Sequence, residues 1–189
     1  MINNKYINLL LILIIAAFIA SCGKKEISEK SGDVPVRGPF VWTDKIDASK
    51  IPDFPVKGMI SGNEVKIEYV NFEYWRGSND NVINFFDMKP QQDCGAVTGG
   101  KGFVFTKYGG DLKEDAYIKE DFKKSMDKYE TEYHYYEGDN IKSFKSTFNF
   151  ALVIEDINDD FVEGRIAVCF NDESKSWVAG RFRAIVCNN

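Results

Sequence analysis

Residues 143–156 read SFKSTFNFALVIED. Phe144, Phe148, Phe150, Leu152 and Ile154 all fall on even numbers, with polar or smaller residues between most of them. A period of two is the signature of a β-strand with one apolar face. The next segment repeats it with Val162, Ile166, Val168 and Phe170, and the last with Val178, Phe182, Ala184 and Val186. A short turn at Asn158-Asp159-Asp160 sets Leu152 opposite Ile166 and Phe148 opposite Phe170. A turn around Asp172–Ser176 sets Phe170 opposite Val178 and Ile166 opposite Phe182. Both hairpins then put the even residues on one face, which a slip of one residue would scatter. The stretch predicts a three-stranded antiparallel meander with one buried face.

Upstream, Val65–Tyr74 and Val82–Met88 read as two strands joined near Gly77-Ser78-Asn79-Asp80, and Lys101–Tyr108 as another. In Lys119–Glu137 the residues Ile118, Phe122, Met126, Tyr129, Tyr133 and Tyr136 recur at spacings of three and four. A helix ending at Gly138 is the favoured reading there. Alternation within Tyr129–Tyr135 supports a strand instead. Fifteen Phe and nine Tyr suit pleated surfaces. The expected fold is mainly β: an antiparallel β-sandwich or barrel-like domain with at most one short helix. At 189 residues the chain has room for one domain with a real core.

Four cysteines are present. With the meander as drawn, Cys169 faces Ala179, and Cys187 lies eight residues further along that strand. Eight residues of strand span about 26 Å. A disulfide needs Cα atoms within about 7 Å. Cys94 is then a partner in any intramolecular bridge, and Cys94–Cys187 is preferred, with Cys169 as the alternative partner.

The amino terminus carries Lys5 and then an apolar run, Leu9–Ala20, shorter than the roughly 20 residues of a membrane-spanning helix. Ile19-Ala20-Ser21-Cys22 follows. This ending resembles the lipobox of bacterial lipoproteins. The resemblance implies signal-peptidase recognition through Ile19, Ala20 and Ser21, cleavage before Cys22, and diacylglycerol and palmitate-type acyl chains on that cysteine. Two or more chains anchor a protein stably. In that family an Asp after the cysteine favours inner-membrane retention. Gly23 stands there instead, which implies the outer membrane in a diderm host. Residues 1–21 are thus expected to be a signal peptide. Residues 22–55 are expected to be the lipidated cysteine, a polar tether and a proline-rich arm, part of it lying against the domain. Residues 56–189 form the expected β-rich domain. Gly58-x-Ile60-x-Gly62, the mid-chain Cys94 and a final Gly180-x-Phe182 strand ending in Cys187 also resemble small β-sandwich envelope lipoproteins.

Formal charge is -5, which offers no electrostatic footprint for nucleic acid. His134 is the only histidine. No nucleophile elbow, zinc-protease helix or phosphate loop occurs. No catalytic residue, cofactor or metal centre is therefore expected. Asp156-x-Asn158-x-Asp160 has the alternate oxygen spacing of a calcium loop, but Phe161 replaces its turn glycine and Ala167 its closing glutamate. It is a weak calcium candidate and a good polar turn. Tyr69, Phe72, Tyr74, Trp75, Tyr133, Tyr135 and Tyr136 form a candidate sugar- or peptide-binding platform, unless they are core. The expectation is a non-enzymatic, membrane-anchored binding or interaction module of the envelope or cell surface, with a protein or glycan ligand. The alternatives are a periplasm-facing structural or assembly lipoprotein, and a hydrolase of envelope glycans or peptides.

Overall fold

The computed structural model describes residues 39–125, 127–137 and 140–187. These carry one 3-10 turn, Ala48–Lys50, and eleven strands. The strands are β1 (Lys57–Ile60), β2 (Asn63–Lys66), β3 (Tyr69–Trp75), β4 (Asp80–Phe86), β5 (Lys101–Lys107), β6 (Ala116–Lys119), β7 (Tyr129–Glu137), β8 (Asn140–Phe144), β9 (Phe148–Ile157), β10 (Phe161–Phe170) and β11 (Trp177–Cys187). Nine run in one sheet, in the order β6-β9-β10-β11-β3-β4-β5-β7-β8, and the β1–β2 hairpin branches from β11. The fold is mainly β, a curled, open half-barrel.

The curl follows from the aromatic core. Phe105 of β5 meets Phe150 of β9 edge to face at 4.9 Å, and Phe85 of β4 meets Phe182 of β11 at 5.3 Å. Those strands are not neighbours in the sheet, so their inner faces touch only because the sheet folds over. Phe85 and Phe103 stack at 4.1 Å inside the same cluster. At the margins, Tyr117 of β6 and Tyr129 of β7 approach to 6.2 Å between ring centroids.

The meander is present as β9–β10–β11. Leu152 pairs with Ile166 and Phe148 with Phe170, as the alternation predicts. The second hairpin differs by two residues: Ile166 faces Gly180 and Cys169 faces Trp177. Asp172 is the reason. Its carboxylate accepts bonds from the Ser176 N–H and hydroxyl at 2.7 and 2.6 Å, closing a tighter turn. An even shift leaves the faces unchanged, so Phe150, Leu152, Ile154, Val162, Ile166, Val168, Phe170, Val178 and Phe182 share the inner core.

The expectation of a single buried face is corrected. Ala151, Ala167, Cys169 and Ala179, on the other face, are also fully buried. The arm covers them with Phe40, Ile46 and Ile51. Small side chains on three adjacent strands leave a shallow bed that an extended segment fills. The arm is tied down by Trp42 Nε1–H donating to the Phe170 carbonyl at 2.8 Å and by main-chain bonds linking Phe54 and Val56 to Arg181.

The expected helix over Lys119–Glu137 is a strand in its second half. Tyr129–Glu137 is β7 and pairs with β5, with Tyr133 opposite Phe103. A spacing of four is an even number, so Tyr129 and Tyr133 share a face in a strand as well as in a helix. Met126 and Gly138, which belonged to the helical reading, lie outside the described residues.

Candidate functional site

In β3, β4, β5 and β7 the side chains that miss the core point to the outer face of the half-barrel. Four rows cross it. Trp75 pairs with Asp80, and continuing the β4–β5 register by one puts Asp80 opposite Tyr108. The next row is Glu73, Val82, Thr106 and Glu130. After it come Asn71, Asn84, Val104 and Glu132, then Tyr69, Phe86, Gly102 and His134. Trp75 and Tyr108 stand two strands apart, roughly 10 Å at the backbone. They are two of the five large hydrophobic residues exposed among those described, at 49% and 37%.

Each ring is held by a carboxylate on the same face. Trp75 Nε1–H donates to Glu73 at 2.9 Å, and the Tyr108 hydroxyl donates to Glu130. Behind them runs a polar lattice. Asn84 donates to Asn71 at 2.8 Å and to Glu73 at 3.2 Å. Lys145 bridges Glu130 at 2.6 Å and Glu132 at 3.1 Å. The electrostatics agree with the geometry. Hydrogen bonds from Lys145 and then Tyr108 hold the Glu130 carboxyl below its usual range. Burial raises Glu132, but bonds from Ser143 and Lys145 outweigh it and the carboxyl lies low. The two carboxylates raise the Lys145 ammonium, and the bond to Glu130 pushes the Tyr108 phenol up to about 12.

Only part of the predicted aromatic platform lies on this face. Tyr69, Phe72 and Tyr133 are buried. Tyr74 packs partly on the core, and its hydroxyl donates to Asn79. Tyr135 is exposed, but on the inner side and about seven residues along the strand direction from Trp75. The side chain of Tyr136 lies outside the described residues. Trp75 remains, joined by Tyr108, Glu130 and Lys145, which no sequence motif marked. The available signal was register, because Trp75 and Tyr108 sit at corresponding ends of β3 and β5, on either side of β4.

Cys94 and Cys187 are disulfide-bonded, with Cα atoms 5.5 Å apart, and Cys169 is free and buried. Burial pushes the Cys169 thiol up to about 12. No described cysteine is therefore a poised thiolate for a Cys-His pair. His134 packs against Phe86 at 5.6 Å and lies over Gly102, where a Cβ would come within 3.0 Å of Nε2. Burial holds its pKa below the usual value, against the pull of Glu132 and Asp87. Asn158 spends its side-chain oxygen on the N–H groups of Asp160 and Phe161, as a turn residue does. Among the described residues no group of three His, Cys, Asp or Glu side chains is placed to hold a metal ion. Ile19, Ala20, Ser21 and Cys22 lie outside the described residues.

Two of the clefts among the described residues lie on other parts of the fold. One, about 350 Å³, lies beside Asp53, Glu155, Glu163, Arg181 and Arg183. Its carboxylates are paired: Asp53 with Arg181, Glu155 with Arg165 at 2.6 Å, and Glu163 with Arg183 at 3.2 Å. This is a ladder of surface ion pairs. The other, about 680 Å³, is formed by the β4–β5 loop around Gln91, Gln92 and Thr98.

No model of a known protein family matches the chain, and neither does any curated protein or solved structure.

Proposed function

We propose that this chain is a lipid-anchored lipoprotein of the bacterial envelope whose β-domain is a non-enzymatic binding module, with the Trp75–Tyr108 face as its contact surface. The observation that carries the binding role is the pair of exposed rings, each oriented by a carboxylate at its side. A solvent-facing tryptophan held in one orientation is preorganised for contact, because little freedom is left to lose on binding. The anchor rests on Ile19-Ala20-Ser21-Cys22 and the apolar run before it. Gly23 favours the outer membrane of a diderm host, and the polar stretch 23–33 suits a tether between lipid and domain.

Protease digestion of intact and permeabilised cells, followed with an antibody to residues 56–189, tests where the module acts. Loss of the signal in intact cells is the expected result. Loss only after permeabilisation would overturn surface display and turn the module toward partners inside the envelope.

A further inference from the structure

We infer that the outer face between Trp75 and Tyr108 binds an uncharged, polyhydroxylated ligand, a neutral oligosaccharide. The inference rests on the binding-module reading and names its ligand class.

Charge is the first argument. Glu73, Asp80, Glu130 and Glu132 stand on this face, and an anionic sugar or a phosphate would be repelled by them. A cationic ligand is disfavoured for a different reason: the carboxylates are already answered from within the protein. Lys145 occupies the space between Glu130 and Glu132, where a ligand ammonium would sit. Asp80 accepts the Gly109 N–H at 3.1 Å, and Glu73 accepts Trp75 and Asn84. Anions are thus repelled, and the carboxylate positions a cation would take are already filled by Lys145 and by neutral donors of the protein, which leaves a ligand with no net charge.

The polar groups are the second argument. A sugar hydroxyl donates and accepts at once. Asn84, Thr106, Glu132 and Lys145 supply both kinds of atom across the rows between and below the two rings, with buried Asn71 fixing the Asn84 amide from behind. The rings supply flat apolar surfaces for the C–H faces of sugar rings, and their separation of roughly 10 Å spans more than one sugar. A protein partner needs a continuous, desolvated apolar centre. Here the exposed rings are separated by polar side chains.

The test uses the full chain in detergent micelles, titrated calorimetrically with oligomers of glucose, oligomers of N-acetylglucosamine, an oligouronate and oligolysine. Trp75→Ala and Tyr108→Ala are titrated beside the parent, with thermal melts to show that they fold. The expected result is binding of a neutral oligomer but not the oligouronate, weakened about tenfold or more by either substitution. Three results would overturn the inference: no neutral oligomer binds, the oligouronate binds equally well, or binding ignores both substitutions. Binding of oligolysine alone, lost in Trp75→Ala, would remove the sugar and keep the binding face. Binding that ignores both substitutions would remove the face itself.

Discussion

Trp75 and Tyr108 occupy one row of the outer face, separated by Asp80, and each points its polar atom at a carboxylate: Glu73 for the tryptophan, Glu130 for the tyrosine. The two halves are wired alike. A ring at the strand end is tethered to a glutamate one row in, and that glutamate is tied to a further side chain, Asn84 on one side and Lys145 on the other.

The wiring on the tyrosine side is visible in a titration. Tyr108 ionises near 12 instead of 10 chiefly because its hydroxyl donates to Glu130. Replacing Glu130 with Gln keeps an acceptor but removes the charge. One phenol should move down toward 10 in an ultraviolet phenolate titration compared between parent and variant. An unchanged profile would mean that the carboxylate is not holding the ring.

Alkaline pH should destabilise the fold. Burial pushes the Tyr133 phenol and the Cys169 thiol up to about 12, from ordinary values of 10.0 and 9.0. The unfolded chain therefore releases these protons first as pH rises. Stability from the two groups is complete below about pH 9 and is lost between that point and about pH 12. Urea unfolding at a series of alkaline pH values should show falling midpoints, and Cys169 should resist alkylation in the native protein until the chain unfolds. A midpoint flat to pH 11 would contradict the burial of these groups.

The disulfide should matter more than any surface ion pair. Cys94–Cys187 closes a separation of 93 residues and ties the β4–β5 loop to the end of β11. Replacing Cys94 with Ser should cost about 2–5 kcal/mol, read as a lower unfolding midpoint. Cys169→Ser should leave the bridge intact, and a non-reducing peptide map should recover Cys94 joined to Cys187.

Gly180 is a further weak point. Its φ of 138° lies where side chains are strained, and an added Cβ would strike the Phe54 carbonyl and Val56. That contact docks the arm beside Arg181. Gly180→Ala should destabilise by about 1–3 kcal/mol and increase proteolysis near Pro55. Gly77→Ala, with open space around its Cβ, is the matched control.

These residues also show what can be read without coordinates. The even-numbered apolar set of the meander was legible because strand parity survives small errors of register. The slip of the second hairpin was not, because it depends on Asp172 reaching Ser176. The bulge between Glu163 and Gly164 also leaves no pattern in the residues. Tyr129 and Tyr133 misled because their spacing satisfies two periods. Gly58 and Gly180, noted only as motif letters, have steric causes, since Gly58 lies against the Trp177 backbone. Strand length excluded a Cys169–Cys187 bridge but left Cys169 open as the alternative partner of Cys94, and the outer face was not legible, because Tyr74 and Trp75 look alike in sequence yet point to opposite sides of the sheet.

The most direct test of the anchored-module account is the chemistry of Cys22. Cells labelled with a palmitate analogue should yield a labelled protein whose mature chain begins at Cys22, and Cys22→Ser should lose the label and leave the membrane fraction. A mature chain that begins elsewhere, or one that begins at Cys22 without lipid and is released freely, would contradict it.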